Sequence, residues 1–386
     1  MVDIQSFYVP LSTNTIYIIL KGMNNDLNTF AKRLQQARLK AKLSMEKLSA
    51  LMNEKADVKV SKQAISKYEM AKMMPSSTIL IAMAKALGCN LDYFFRPFTF
   101  DLDQFKVSFR KKSDTTVGDQ NALKVQIQDE VERYLEIEEI LGVKHNNEIP
   151  SDLIPPMALS TRSDMVEMAK KVRKHWGLGK APIANTQELL EAHGIKVLLT
   201  EAPDNFWGVS GIVNDKTPVI VLNSNDRHIE HRRLTALHEL CHLLYNKYFS
   251  ESLTDHQKEN LCNAFANEML LPSAILQTLF EGKQKIAIAE LISLGINFGI
   301  SVDAIVYKLK DIGIIGEKRY RGFCIQKNKR PDFKKRIEES RYEEKSTTRF
   351  QAMVYSALAQ DLISTSKAAT LLGVSINKVR NSATAI

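Results

Sequence analysis

The chain has 386 residues, 44% of them hydrophobic and 25% charged, which predicts two or three domains with a sizeable core. Four scattered cysteines (Cys89, Cys241, Cys262, Cys324) exclude a disulfide framework, and no apolar run approaches the length of a membrane span. The formal charge is +9, and residues 1–100 hold 14 Lys/Arg against 7 Asp/Glu, which points to nucleic acid at the N-terminal end. No secretory leader pattern is read, so a reducing cytoplasm is the expected setting.

In residues 1–22, Pro10, Ser12, Thr13 and Asn14 interrupt the apolar residues. A weakly ordered extension is expected there, with Met23 a candidate start. From Leu27 the period is helical, with Phe30, Leu34 and Ala37 set among Lys32, Arg33 and Arg38. Ser44 caps a second helix that turns Leu48, Leu51 and Met52 inward. After a charged loop from Asn53 to Val60, Ser61 caps the run Lys62–Glu69. Pro75 and Ser76 open another helix, Gly88 ends it, and Leu91–Phe95 closes an all-α five-helix unit over residues 23–97.

Two successive Ser-capped helices of this kind make a helix-turn-helix, whose second helix enters the major groove N-terminus first. Gln63 offers a bidentate amide to adenine, while Lys62, Ser66 and Lys67 reach phosphates or base edges. The competing reading is a protein-interaction module with a solvated basic face. The run SKQAISKYEMAKMMP resembles the Xre/Cro family of repressor-like DNA-binding domains. That resemblance puts Ser61 and Gln63 at the start of the recognition helix and Tyr68-Glu69 at its end. It implies a double-stranded DNA operator as partner, bound by a homodimer on two half-sites. The loop before Ser61 is longer than the family pattern.

Residues 98–163 read as an extended piece from Phe98 to Arg110, a polar stretch, an amphipathic helix over 121–141, and a linker with Pro150, Pro155 and Pro156. Leu123, Ile127, Val131, Tyr134 and Leu141 form the helix's apolar stripe, suited to pairing with a second copy or to packing on its own domain. From Asp164 come helices over 164–176 and Thr186–His193, then a strand over Ile195–Leu199. A hairpin follows, with arms Trp207–Val213 and Pro218–Leu222 around Asn214-Asp215-Lys216. A helix carrying His238-Glu239-Leu240-Cys241-His242 comes next, then one from about Asp255 to Leu271, stopped by Pro272, and further helices over 284–312. This order predicts an α+β domain over residues 164–315. Residues 316–345, rich in both charges, read as a solvated connection. Residues 355–386 have a helix-turn-helix rhythm around Leu371–Ser375, as a second DNA contact or a small packing module; their thin basic face favours packing.

Residues four apart on a helix share a face, so His238 and His242 can bind one metal ion, with Glu239 close enough to reach a water on it. Without a metal they are two histidines on an apolar helix. A catalytic zinc needs three protein ligands and an open position. The sequence offers Glu259, Glu268, His256, Glu251 and Asp255 as third donors, with Cys241 and Cys262 as thiols or as packing residues. RRLTALHELCHLL, followed by ENLCNAFANEMLLP and preceded by WGVSGIVNDKTPVIVLN, resembles the ImmA/IrrE family of zinc-dependent peptidases. That resemblance spans roughly residues 164–315 and implies a zincin-like fold, one Zn2+ ion and Glu259 as third ligand, four positions before Asn263. The family often has Gly where Cys241 stands.

Together the two resemblances imply a DNA-binding regulator with a zinc-dependent endopeptidase, in which Glu239 is the catalytic base. Tyr245 and His256 are candidate oxyanion donors, and the hairpin edge could present an extended peptide. The implied substrate is an Xre-type repressor, cut in trans or as a chain of the same type to control phage, mobile-element or stress-response genes. Two rivals remain: a non-proteolytic regulator or antitoxin whose peptidase-like domain senses metal or a partner, and a housekeeping peptidase with incidental DNA affinity. An intact Glu239 argues against a pure sensor, which needs only the ligands.

Overall fold

The structure is a computed structural model that describes residues 13–55, 58–99, 116–143, 149–226, 228–339, 342–344 and 348–382, with side chains from Asp26 onward save that of Lys55. Residues 1–12 of the expected extension and most of the expected extended piece after Phe98 lie outside the described residues. The chain forms two compact units, Met1–Asp101 with Asp114–Glu132, and Leu102–Ser113 with Arg133–Ile386. Both are helix-rich, and the second holds a small three-stranded sheet.

The first unit contains α1 (Thr13–Lys40), α2 (Met45–Lys55), α3 (Lys62–Glu69), α4 (Ser77–Leu87) and a 3-10 helix, Leu91–Phe95. Its first helix begins at Thr13 and runs straight through Met23, rather than starting near Leu27. Phe30, Leu34, Leu48, Met52, Ile65, Met83 and Phe94 form the core. Caps fix the ends as the sequence predicts. Ser61 accepts from the Ala64 amide at 3.2 Å, and Gly88 closes α4 at φ +65°, a left-handed angle that favours glycine. The N-terminal part of α5 (Val117–Ile140) is fastened to this core by charge. Arg33 pairs with Glu132 at 2.7 Å, both fully buried, and donates to the carbonyls of Arg96 and Pro97 at 2.9 and 2.8 Å. Arg96 adds bonds to Asp129 and Glu132. Such a pair is costly to break one-sidedly, because the surviving charge stays buried. Of the apolar stripe of α5, Leu123, Ile127, Val131 and Tyr134 are buried, and Leu141 is half-buried against the C-terminal cluster.

In the second unit, α6 (Arg162–His175) opens with a capping box in which Thr161 and Asp164 satisfy each other's amides. Then follow α7 (Thr186–Ala192), β1 (Lys196–Thr200), β2 (Gly208–Val213) and β3 (Thr217–Asn223). The sheet order is β1-β3-β2, with β1 parallel and β2 antiparallel to the central β3. Asn214 and Asp215 turn the hairpin with φ of 52° and 55°, a conformation these two residues tolerate. Helices α8 (Ile229–Tyr245) and α9 (Asp255–Leu270) pack together, and α8 also lies on β2 and β3. α9 starts at a Thr254–Gln257 capping box and stops before Pro272. α10 (Ser273–Phe280), α11 (Ile288–Phe298) and α12 (Val302–Asp311) complete the core.

The charged stretch after Gly316 is not a plain connection. It folds as α13 (Glu317–Lys329) and α14 (Pro331–Glu338), whose Tyr320, Phe323, Phe333 and Ile337 pack on the main core. Beyond them α15 (Arg349–Ala359), α16 (Thr365–Leu372) and α17 (Ile376–Ser382) realise the C-terminal helix-turn-helix rhythm. Val354, Ala357, Leu371 and Val379 of this module bury themselves with Ile137 of α5, so packing is its visible role. Among the described residues no single helix is long and apolar enough to cross a membrane.

Candidate metal centre and recognition helix

Helix α8 owes its position to β2. A Cβ at Gly208 would stand 2.8 Å from the Thr235 methyl, so only glycine lets helix and strand approach so closely here. Four residues on from Thr235, a helix has risen about 6 Å. Two residues on from Gly208, a strand has advanced about 6.6 Å. The two periods therefore coincide, and Ser210 meets Glu239, its hydroxyl donating to Oε2 at 2.7 Å. The other end of α8 is held at Arg233, which is fully buried. Arg233 pairs with Glu344 at 2.6 Å and donates to the carbonyls of Ile183 and Gly299.

Donor groups of three residues converge between α8 and α9. Nε2 of His238 and Nε2 of His242 lie 3.2 Å apart; Oε2 of Glu259 lies 3.2 Å from the first and Oε1 lies 3.3 Å from the second. A tetrahedral zinc with N and O ligands at about 2.0–2.1 Å requires ligand–ligand edges of about 3.3–3.4 Å; the Nε2–Nε2 separation is close to that edge, and Glu259 brings one oxygen to a similar distance from each imidazole. His238, His242 and Cys262 also form a cluster compatible with a cation. The thiol of Cys262 lies 3.7 Å from Nδ1 of His242. Glu259 thus meets both imidazoles at Nε2, and Cys262 meets His242 at Nδ1.

The outer ring nitrogens have partners of their own. Nδ1 of His238 lies 2.8 Å from Oδ1 of Asn263, which selects the tautomer with Nε2 free to bind a metal. Glu259, Cys262 and Asn263 sit at i, i+3 and i+4 on α9, so one helical face supplies both the third donor and the supports of the two imidazoles. Burial opposes charge on His242, but the contacts with Cys262 and Glu259 outweigh it and raise its pKa to about 10. The Cys241 hydrogen bond and the His242 contact lower Cys262 to about 6 against burial, whereas burial keeps Cys241 a thiol. The carboxylates of Glu239 and Glu259 beside the two imidazoles favour a cation.

The remaining expected donors lie elsewhere. Glu268 is buried against Ser273 and Lys308, and His256 is exposed beside Asn260. Tyr245 is buried against Phe265 as a core ring. Sequence reasoning missed Ser210, although strand alternation places it on the face of Gly208. Asn263 served there only as a motif landmark.

On α3, Ser61, Lys62, Gln63 and Lys67 are exposed and Ser66 is half-buried. Ile65 and Tyr68 hold the helix in the core, and Glu69 receives both arms of Arg38 at 2.6 and 2.7 Å. Lys62 is paired with Glu46 of α2, and Ser61 is turned back onto its own helix.

The helix-turn-helix family profile matches residues 34–94. The profile of the IrrE N-terminal-like domain, a peptidase family, matches residues 190–310, a span that contains β2, α8, α9 and the three converging donors. No curated protein matches the chain. The chain thus joins an Xre-type helix-turn-helix domain to an ImmA/IrrE-like peptidase domain.

Proposed function

We propose that this chain is a DNA-binding regulator whose peptidase domain cleaves an Xre-type repressor, supplied in trans or by a chain of its own type. The observation that carries the reading is the cradle of His238, His242 and Glu259 beside a Glu239 held by Ser210, in a chain that also bears a helix-turn-helix. A zinc ion in that cradle supplies Lewis acidity and a water acidic enough to ionise near neutral pH. Glu239, adjacent to the cradle but not part of it, accepts the proton of the attacking water and returns it to the leaving amine. Ser210 holds Oε2, which leaves Oε1 for the proton. β2 is an edge strand of the sheet, and its open side gives an extended peptide a backbone to pair with. On α3, Gln63 reads base edges while Lys67, Ser66, Lys62 and Ser61 serve phosphates or neighbouring bases.

The test incubates zinc-loaded chain with repressors of the Xre type, including a second copy of itself, and follows fragments by mass spectrometry. Cleavage is expected to fall about 10²–10⁴-fold in Glu239→Gln, with one zinc per chain retained. Equal cleavage by the Gln variant sinks the mechanism. No cleavage under any condition, with operator binding intact, returns the sensor or antitoxin reading.

A further inference from the structure

The charge of this chain has a second centre outside the helix-turn-helix unit. Residues 317–339 hold nine Lys/Arg against four Asp/Glu, whereas residues 164–316 hold 16 against 18. Two of the four acids are already committed. Glu317 binds Arg321 at 3.0 Å and lies 3.8 Å from Lys310, and Glu338 binds Lys327 at 2.9 Å. Lys318, Lys329, Arg330, Lys334, Lys335 and Arg336 are exposed and carry no ion pair among the described residues. The orientation of the face is fixed by packing. Tyr320 and Phe323 of α13 and Phe333 and Ile337 of α14 turn inward. At about 100° per residue, Lys318, Lys329 and Lys335 therefore point outward.

Such a cluster of like charges holds anions from solution, and a polyanion that replaces them gains by their release. α13 is about 20 Å long at 1.5 Å per residue, over which a DNA duplex presents about a dozen phosphate charges. A protein partner would need a desolvated apolar centre. The outer face of α13 offers one large exposed apolar side chain, Ile325, set among cations. Phosphates need only reachable donors. We propose that the outer face of α13–α14 is a second DNA-contacting surface, which grips the phosphate backbone without reading sequence.

The full chain is titrated onto a short mixed-sequence duplex by fluorescence anisotropy across a range of NaCl concentrations. The triple variant Lys334→Glu, Lys335→Glu, Arg336→Glu is expected to lose about tenfold or more in affinity. Its log K against log salt slope should shrink by about 2–3, at 0.9 per phosphate contact. Lys170→Glu, Lys174→Glu, Lys180→Glu, exposed on and just after α6, makes the same charge change elsewhere and should keep the slope. The corresponding Gln triple at 334–336, checked for fold by circular dichroism, reads the same effect in weaker form. Equal losses from the two Glu triples, or an unchanged slope in the 334–336 variant, overturn the proposal. So does a weakened repressor complex with DNA binding untouched, which would assign the surface to a protein.

Discussion

Helices α3 and α8 place their working side chains in opposite settings. On α3 the backbone is held by Ile65, Tyr68 and the Arg38–Glu69 clamp, while Gln63 and Lys67 stand free in solvent. On α8 each working side chain is gripped from a second element: His238 by Asn263, His242 by Cys262, Glu239 by Ser210. The difference suits what each is proposed to bind. DNA brings its own rigid array of acceptors and can order flexible side chains on arrival. A metal cradle with donors 3.2–3.3 Å apart must exist beforehand, because each donor's freedom subtracts directly from ion affinity.

The hardest blow to the preorganised side of this contrast is Arg233→Met. It leaves the Glu344 carboxylate, now 1% exposed, without its cation, and also takes one donor each from the Ile183 and Gly299 carbonyls. Breaking a buried pair from one side costs about 3–5 kcal/mol. The unfolding transition of the peptidase unit should shift accordingly in chemical denaturation. A shift below about 1 kcal/mol would mean that α8 is not anchored by this arginine. Asn263→Ala is more local. Loss of the partner of Nδ1 should weaken zinc binding about 10–100-fold in chelator competition, with the fold intact. Unchanged zinc affinity would show that packing alone sets the His238 ring.

Much of this contrast could be read in the sequence, and the rest could not for identifiable reasons. The HELCH spacing, the Ser61 and Ser76 caps and the stop at Pro272 are local signals, each set within a few residues, and the helices follow them. Glu259 came from resemblance, since seven donors stood within reach and spacing does not rank them. Ser210 and Glu344 are 29 and 111 residues from their partners, so only the tertiary register of β2 on α8 and the return of the chain after α14 bring them in. Residues 316–345 read as a connection in the sequence because their apolar anchors are few and widely spaced. Four aromatic or aliphatic residues, Tyr320, Phe323, Phe333 and Ile337, suffice to dock both helices.

The exposed side of the contrast is tested on α3. Gln63→Ala should weaken binding to the cognate operator on the order of tenfold and relax discrimination at a single base pair. Binding to mixed-sequence DNA, and its salt dependence, should hold steady. Lys67→Ala should act the other way, lowering affinity for all sequences and reducing the salt slope by about 1. If Gln63→Ala instead weakened all DNA alike, it would be a phosphate contact and the reading head would lie elsewhere on the helix.

The smallest expected effect bears on Lys62, which stands between the two settings. It is exposed like its neighbours, yet it is already bound to Glu46, and that hydrogen bond, with the attraction of the ammonium, holds the Glu46 carboxyl below its ordinary 4.5. A depressed carboxyl gives its stabilisation above the unfolded value and loses it as the pH falls through the folded one. The pair is therefore intact at neutral pH and opens only in acid, below 4.5. If Lys62 contacts a phosphate as proposed, DNA competes with Glu46 for this lysine. Glu46→Gln removes the competitor, so affinity for mixed-sequence DNA should rise by less than tenfold and the salt slope should steepen by at most about 0.9, one further phosphate contact. An unchanged slope would place Lys62 off the DNA face, and the Glu46 pair would then be a tie between α2 and α3, making this end of the recognition helix resemble α8 more than its neighbours do.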